Sequence, residues 1–488
     1  MALTKVTSGM VNPDPTNASN LSSGDVPLAQ LGNAPATDTT TLEDDIALLG
    51  FKVAVAGTMA KYNLVDQTED AFMDATGIDA SASTSEVRDS NNYYSGTSTG
   101  PTGGTVTTYS SGGNDYSIHK FTSGADFISA SSGLADILVV AGGGQGGSTH
   151  GSGGGGAGGF KYWSQTTVAS GTSAVAVGVG GSGAAGDGDK GDDSQFASLS
   201  ASSGGGGSGG HSSSPVTQNG GSGAGASGRF SQAGGDGNAN EGNDGGNATS
   251  ETHSDDDAGG GGGGASAAGT NGSGTTAGNG GAGYTEGATV FDWQSGSGTV
   301  TLPASFYNGS TNSSYAGGGA AASQNGAHGS AGVGGGGAPA VNGTANTGGG
   351  GGGATGTGGG ARGEGGSGVV IIRFLDGALS AADDMTLVSN STTAEVAPTK
   401  GDIVMTYTNG SGTATLNTDL TAEFSANNGT NWTSMTLVAQ GSTGTHLIVS
   451  AHDVTVGTAG TAMKYRIKTL NQGAAKETRI QAVSLGWS

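Results

Sequence analysis

Apolar residues recur along this chain in three rhythms, and each predicts a different kind of structure. Leu42, Ile46, Leu49, Val53 and Ala56 are spaced 4, 3, 4, 3, the a/d seam of a helix that packs on a partner. Thr40 and Glu43 have the Thr-x-x-Glu spacing of a capping box, and Gly57 ends the run. Two heptads do not hold a solitary helix. The seam therefore predicts a parallel homotrimer, with packing on the same chain as the alternative. A second stretch, Asn63 to Ala75, places Leu64, Thr68, Phe72 and Ala75 on one helical face and stops at Gly77. Either it continues the helical segment or it folds back on it.

The rhythm then shortens to strands. Tyr116-Ser-Ile-His-Lys-Phe121 alternates, and Leu134-Ala-Asp-Ile-Leu-Val-Val140 is apolar almost throughout, as in a buried strand. Far along the chain, Val369-Val-Ile-Ile-Arg-Phe374 repeats that character. Between these two strands the pattern gives way to glycine: 79 of the 104 glycines lie between Gly142 and Gly368. A flexible coil has no reason to sit between two strongly apolar strands, so both strands are expected in one folded unit. Polyglycine-II helices, three residues per turn and bonded backbone to backbone, are the ordered alternative to coil. Lys161 to Trp163, Ser173 to Val179 and Gly298 to Leu302 add strands within the block. After Phe374 short strands follow one another: Asp402 to Tyr407, Leu420 to Phe424, Thr433 to Leu437, Thr445 to Val449, Met463 to Ile467 and Thr478 to Leu485. Asn427-Asn-Gly429 is a turn between two of them. Such spacing predicts a small β-sandwich.

The fold class expected is mainly β. It has a short N-terminal helical coiled-coil segment, a polyglycine-II-like bundle bracketed by strands, and a C-terminal β-sandwich, assembled as an elongated homotrimer. The corresponding segments are an extended attachment arm (1–36), a helical stalk (37–90), a β-rich connector (91–141), the glycine-rich domain (142–374) and the sandwich (375–488). The arm carries Pro13, Pro15, Pro27 and Pro35 and no core pattern of its own, so it is either disordered or docked on a partner, and it is expected as the attachment end.

Composition narrows the function. Hydrophobic residues make up 33% of the chain and aromatics 5%, too little for one large core in 488 residues. The net charge of −23 is the wrong sign for a nucleic-acid backbone. There are no cysteines, hence no disulfides and no thiolate zinc site. No apolar run approaches a membrane span, and the first ten residues lack the apolar core of a signal peptide.

Four stretches resemble bacteriophage tail-fibre proteins of the marine phage type. Met1-Ala-Leu-Thr-Lys-Val-Thr7 is similar to the virion-proximal start of such fibres. Asp45-Ile-Ala-Leu-Leu-Gly-Phe-Lys52 with Tyr62-Asn-Leu-Val-Asp66 resembles a helical module near that end. Ile137-Leu-Val-Val-Ala-Gly-Gly-Gly144, Gly153-Gly-Gly-Gly-Ala-Gly-Gly-Phe160 and Gly366-Ser-Gly-Val-Val-Ile-Ile-Arg-Phe374 resemble the glycine-rich domain of phage adhesins. Glu423-Phe-Ser-Ala-Asn-Asn-Gly-Thr-Asn-Trp432 is similar to a small sandwich of tail proteins. The resemblance implies a trimeric, non-enzymatic structural protein of the virion that is made in the host cytoplasm. It would be held at its N-terminus by a tail or baseplate protein and would recognise a bacterial surface polysaccharide or outer-membrane protein. Competing expectations are a non-viral filament or surface-display protein with the glycine block as spacer, an ice-binding protein, and a depolymerase.

Candidate chemistry is sparse. Asp187, Asp189, Asp192 and Asp193 are a weak Ca²⁺ candidate, since oxygen ligands recur without the order of an EF-hand. The seven histidines form no metal-ligating pair at close spacing, and no cofactor is expected. Phe230 and Tyr315 lie in polar loop sequence; an exposed ring there would stack on a receptor, and the alternative is a ring that covers the glycine bundle.

Overall fold

The computed structural model describes residues 40–59, 61–148, 151–183, 186–209, 217–228, 231–249, 257–303, 306, 314–355 and 360–488. The attachment arm expected over 1–36, and Phe230, lie outside the described residues. The chain divides into two compact units. One joins residues up to Thr97 with Asp384–Gln472 and Lys476–Ser488, and the other spans Ser98–Asp383 with Gly473–Ala475. The stretch expected as a stalk is thus folded with the C-terminal strands, and the expected connector is cut at Thr97.

In the first unit, Thr40–Ala56 is the one α-helix among the described residues. Its buried positions are Asp44, Ala47, Gly50, Phe51 and Ala54, and Ala47 packs with Val404 and Ile448. The face used for packing within the chain is therefore not the apolar seam but the small-residue face behind it. Small residues let the backbone come close: a Cβ on Gly50 would lie 1.9 Å from Glu69 Oε2. The second predicted helix is corrected to a hairpin. Lys61–Leu64 pairs antiparallel with Gln67–Asp70, and Asp66 between them adopts φ 57°, a left-handed conformation that an Asp side chain tolerates. Gln67–Asp70 pairs in turn with Glu477–Trp487.

That hairpin is the edge of an antiparallel sheet that continues through Glu477–Trp487, Lys400–Ser411, His446–Thr455 and Val438–Thr443. A second sheet runs Met385–Val388, Ala462–Thr469, Leu420–Ser425 and Thr433–Met435. Ile403, Met405 and Leu485 from the first sheet and Leu420, Phe424 and Ile467 from the second belong to one buried cluster. Asn428 and Gly429 take positive φ in the turn between Leu420–Ser425 and Thr433–Met435, as the Asn-Gly pair predicts.

The second unit is built on a five-stranded antiparallel sheet in the order Phe160–Val168, Gly133–Val140, Val369–Leu375, Asn114–Phe121, Thr105–Ser111. The strands that lead into and out of the glycine block are neighbours: Val140 faces Val369 and Ile137 faces Ile372. Their near-continuous apolar sequence follows from burial on both faces. Leu138, Val140, Val369 and Ile371 enter one cluster with Tyr162 and Phe306. Ile137, Val139, Val370 and Ile372 enter another with Trp163 and Phe374.

The glycine tracts are bonded backbone to backbone with a period of three. Along Gly142 to Gly147, residues 142 and 145 donate to Asp192 and Asp189, 143 and 146 to Gly366 and Gly363, and 144 and 147 to Gly156 and Gly153. Each tract residue turns toward one of three neighbours in succession, as three residues per turn requires. The pattern recurs: Gly259, Gly262 and Ala265 donate to Ala322, Gly319 and Ala316, while Gly154 and Ala157 donate to Gly260 and Gly263. Glycine is required because the tracts touch. A Cβ on Gly154 would lie 2.0 Å from Gly319 O, and one on Gly262 2.0 Å from Gly155 O.

Candidate functional site

The rings singled out for receptor contact divide. Tyr315 is fully buried. It lies in a short strand with Ser314, faces Tyr284 across the pairing, and donates its hydroxyl to Phe306 O at 3.0 Å. It is a core residue, which corrects the expectation of an exposed ring. The sequence around it is polar because the strand is only two residues long and its neighbours are glycine tracts.

Three of the four aspartates of the Ca²⁺ candidate are used by the bundle. The Asp189 and Asp192 carbonyls accept from Gln145 and Gly142, and Asp193 Oδ1 accepts from the Gly204 amide at 2.8 Å. Arg362 donates to Gly186 O nearby. No three of these four carboxylates bring ligand atoms within 4.8 Å of one another. One cation is taken into the bundle: Lys161 Nζ lies 3.2 Å from Glu241 Oε1, with both side chains buried, and 4.0 Å above the Trp293 ring. Glu241 Oε2 also accepts from the Ser203 amide. That completes the hydrogen bonding such a buried pair needs.

The seam of the helix is exposed. Leu42 and Leu49 are about 60% accessible and Ile46 and Val53 about half, and Ala56 is exposed as well. No described residue covers this stripe, although the opposite face of the same helix is docked on the sheet.

Sequence reasoning missed one group. His452, in strand His446–Thr455, lies beneath the first turn of the helix. Its Nε2 is 3.1 Å from Asp44 Oδ1, and its Nδ1 is 2.9 Å from Glu43 Oε2 and 3.7 Å from Asp402 Oδ1. The imidazole is held above its ordinary range, at about 9. Asp402 contributes most, and Asp44 and Glu43 add to it against the opposing effect of burial. Among the described residues, Glu43, Asp402 and His452 are the one set of three His, Asp or Glu side chains whose ligand atoms converge within 4.8 Å. Residues 43, 402 and 452 share no local spacing, so no motif could have announced them.

Among the described residues, no helix is long and apolar enough to cross a membrane. No curated protein matches the chain. A family model described as a glycine-rich domain matches residues 120–375, from the strand that precedes the apolar pair to the strand that closes the block, which is just over half of the 488 residues. The chain belongs to the glycine-rich domain family.

Proposed function

We propose that this chain is the recognition component of a bacteriophage tail fibre, a non-enzymatic homotrimer that adsorbs to the host surface through its glycine-rich domain. The observation that carries the reading is the bonding of the glycine tracts at every third residue. A module held by backbone hydrogen bonds, each contributing only about 1 kcal/mol net, keeps its frame while its loops vary in sequence. A flexible display spacer has no use for such order. The tracts are read as a polyglycine-II bundle, and the two C-terminal sheets as a sandwich. The uncovered stripe of Leu42, Ile46, Leu49 and Val53 supports association through the helix. The N-terminal arm is assigned to a tail or baseplate protein, as the resemblance implies.

The test is adsorption. Labelled full-length protein is applied to a panel of marine bacterial cells and washed. Saturable binding to some strains and not others is expected, with Phe230→Ala reducing it at least several-fold while the circular dichroism spectrum is unchanged. Absence of binding to every strain, with the protein folded, would return the glycine block to the role of spacer.

A further inference from the structure

The Glu43, Asp402 and His452 group has the construction of a metal centre. Its two halves come from different elements: Glu43 from the first turn of the helix and the other two from adjacent strands, Lys400–Ser411 and His446–Thr455. The His452 side chain is 92% buried, since only 8% of it is accessible. Its Nδ1 makes no aligned hydrogen bond although two carboxylates stand beside it. Both carboxylates stand on the Nδ1 side of the ring, Glu43 Oε2 at 2.9 Å and Asp402 Oδ1 at 3.7 Å. The other ring nitrogen is committed. Nε2 pairs with Asp44 Oδ1, and a buried carboxylate on the far nitrogen is the arrangement that fixes the tautomer and orientation of a metal-bound imidazole. A pocket of about 260 Å³ adjoins the three groups, lined also by Asp66, Gln67 and Ser484, so there is room for water on a fourth coordination position.

The donor set selects the ion. One imidazole nitrogen and two carboxylates suit zinc and its neighbours among the divalent transition metals. Calcium and magnesium favour all-oxygen shells. We propose that Glu43, Asp402 and His452 Nδ1 bind one zinc-class divalent cation, with Asp44 as the positioning residue behind the imidazole, and that the ion fastens the start of the helix to the sheet. The site does not depend on what the glycine-rich domain recognises.

The experiment uses the full-length protein, stripped with EDTA and titrated with ZnCl₂ by calorimetry alongside thermal melts. The wild type should bind one Zn²⁺, a step that Glu43→Gln and Asp402→Asn each weaken at least about 10-fold, and Zn²⁺ should raise the melting temperature of the wild type more than that of either variant. Glu43→Gln keeps the capping-box chemistry of the helix, so its metal-free circular dichroism should match the wild type, while its metal-free melt should fall only by the loss of the Glu43 pairing with His452. Asp44→Asn should weaken binding about 10–100-fold without abolishing it. No Zn²⁺ uptake by the wild type, or an affinity in both ligand variants equal to that of the wild type, would leave His452 as a protonated clamp between carboxylates and overturn the proposal.

Discussion

Two buried carboxyls in the hairpin that replaces the second helix carry a pH signature. Glu69 is fully buried and accepts from Tyr62 Oη at 2.8 Å and from Gln67 Nε2 at 2.9 Å. Burial outweighs those bonds and pushes its carboxyl up to about 7. Asp70, against Tyr465 Oη, is pushed by burial to about 6. A raised carboxyl binds protons in the folded state that the unfolded state has already released. Stability therefore falls as pH rises from the ordinary carboxylate range to the folded value, and the full cost is present above it. Glu69→Gln should remove its share of that slope. At pH 8 the variant should melt above the wild type by roughly 2–4 °C, about 1 kcal/mol, and the gap should close by pH 5. Melts across that window check it, and a gap independent of pH would remove burial of charge as the cause. Asp70→Asn should act the same way with its window displaced about one pH unit lower.

The elements were read from the sequence with uneven success, and the physics of each signal accounts for it. The strands that bracket the glycine block announced themselves because burial on both faces demands unbroken apolar sequence. Most C-terminal strands did so by alternation; Met385–Val388 is only four residues long and buried at three of them, and Val438–Thr443 is exposed throughout, so neither offers an alternation to read. The helix was legible but its docked face was not, because Ala47, Gly50 and Ala54 act by being small rather than by being hydrophobic. Asn63 to Ala75 imitated a helix since Leu64, Thr68 and Phe72 are four apart. What decides against it is pairing with residues 483–486, a contact no local window contains. Tyr315 and the His452 cluster were hidden for the same reason, being assembled from remote segments. Within the bundle, glycine itself is the signal, and it can be tested. Gly262→Ala puts a methyl 2.0 Å from Gly155 O and should cost about 1–3 kcal/mol as overpacking. It should also speed exchange of the amides of Gly262 and its partner Gly281, which donates to Gly262 O. Gly100→Ala, whose Cβ would meet nothing nearer than 3.6 Å, should change stability by no more than about 0.5 kcal/mol.

For the whole molecule, the proposed trimer would separate folding from assembly on the two faces of the helix. The small-residue face belongs to the fold of its unit, and the stripe of Leu42, Ile46, Leu49 and Val53 is left over. Replacing Ile46 and Leu49 by Asp alters exposed positions, so the chain should fold as before. In a trimer it would bury unpaired charge at about 3–5 kcal/mol per break. Sedimentation should give three chains for the wild type and one for the double variant, with unchanged circular dichroism. A wild type that sediments as a monomer would assign the stripe to some other occupant.

The three-residue bonding period also restricts how such a domain can evolve. Removing one glycine from a tract rotates all that follows by a third of a turn. Every later amide then faces the wrong neighbour, and the error spreads to the strands that bracket the block. Removing three restores the phase. Length variation among natural variants should therefore arrive inside the tracts in whole turns, while the connecting loops, which carry no phase, are free to gain or lose residues singly.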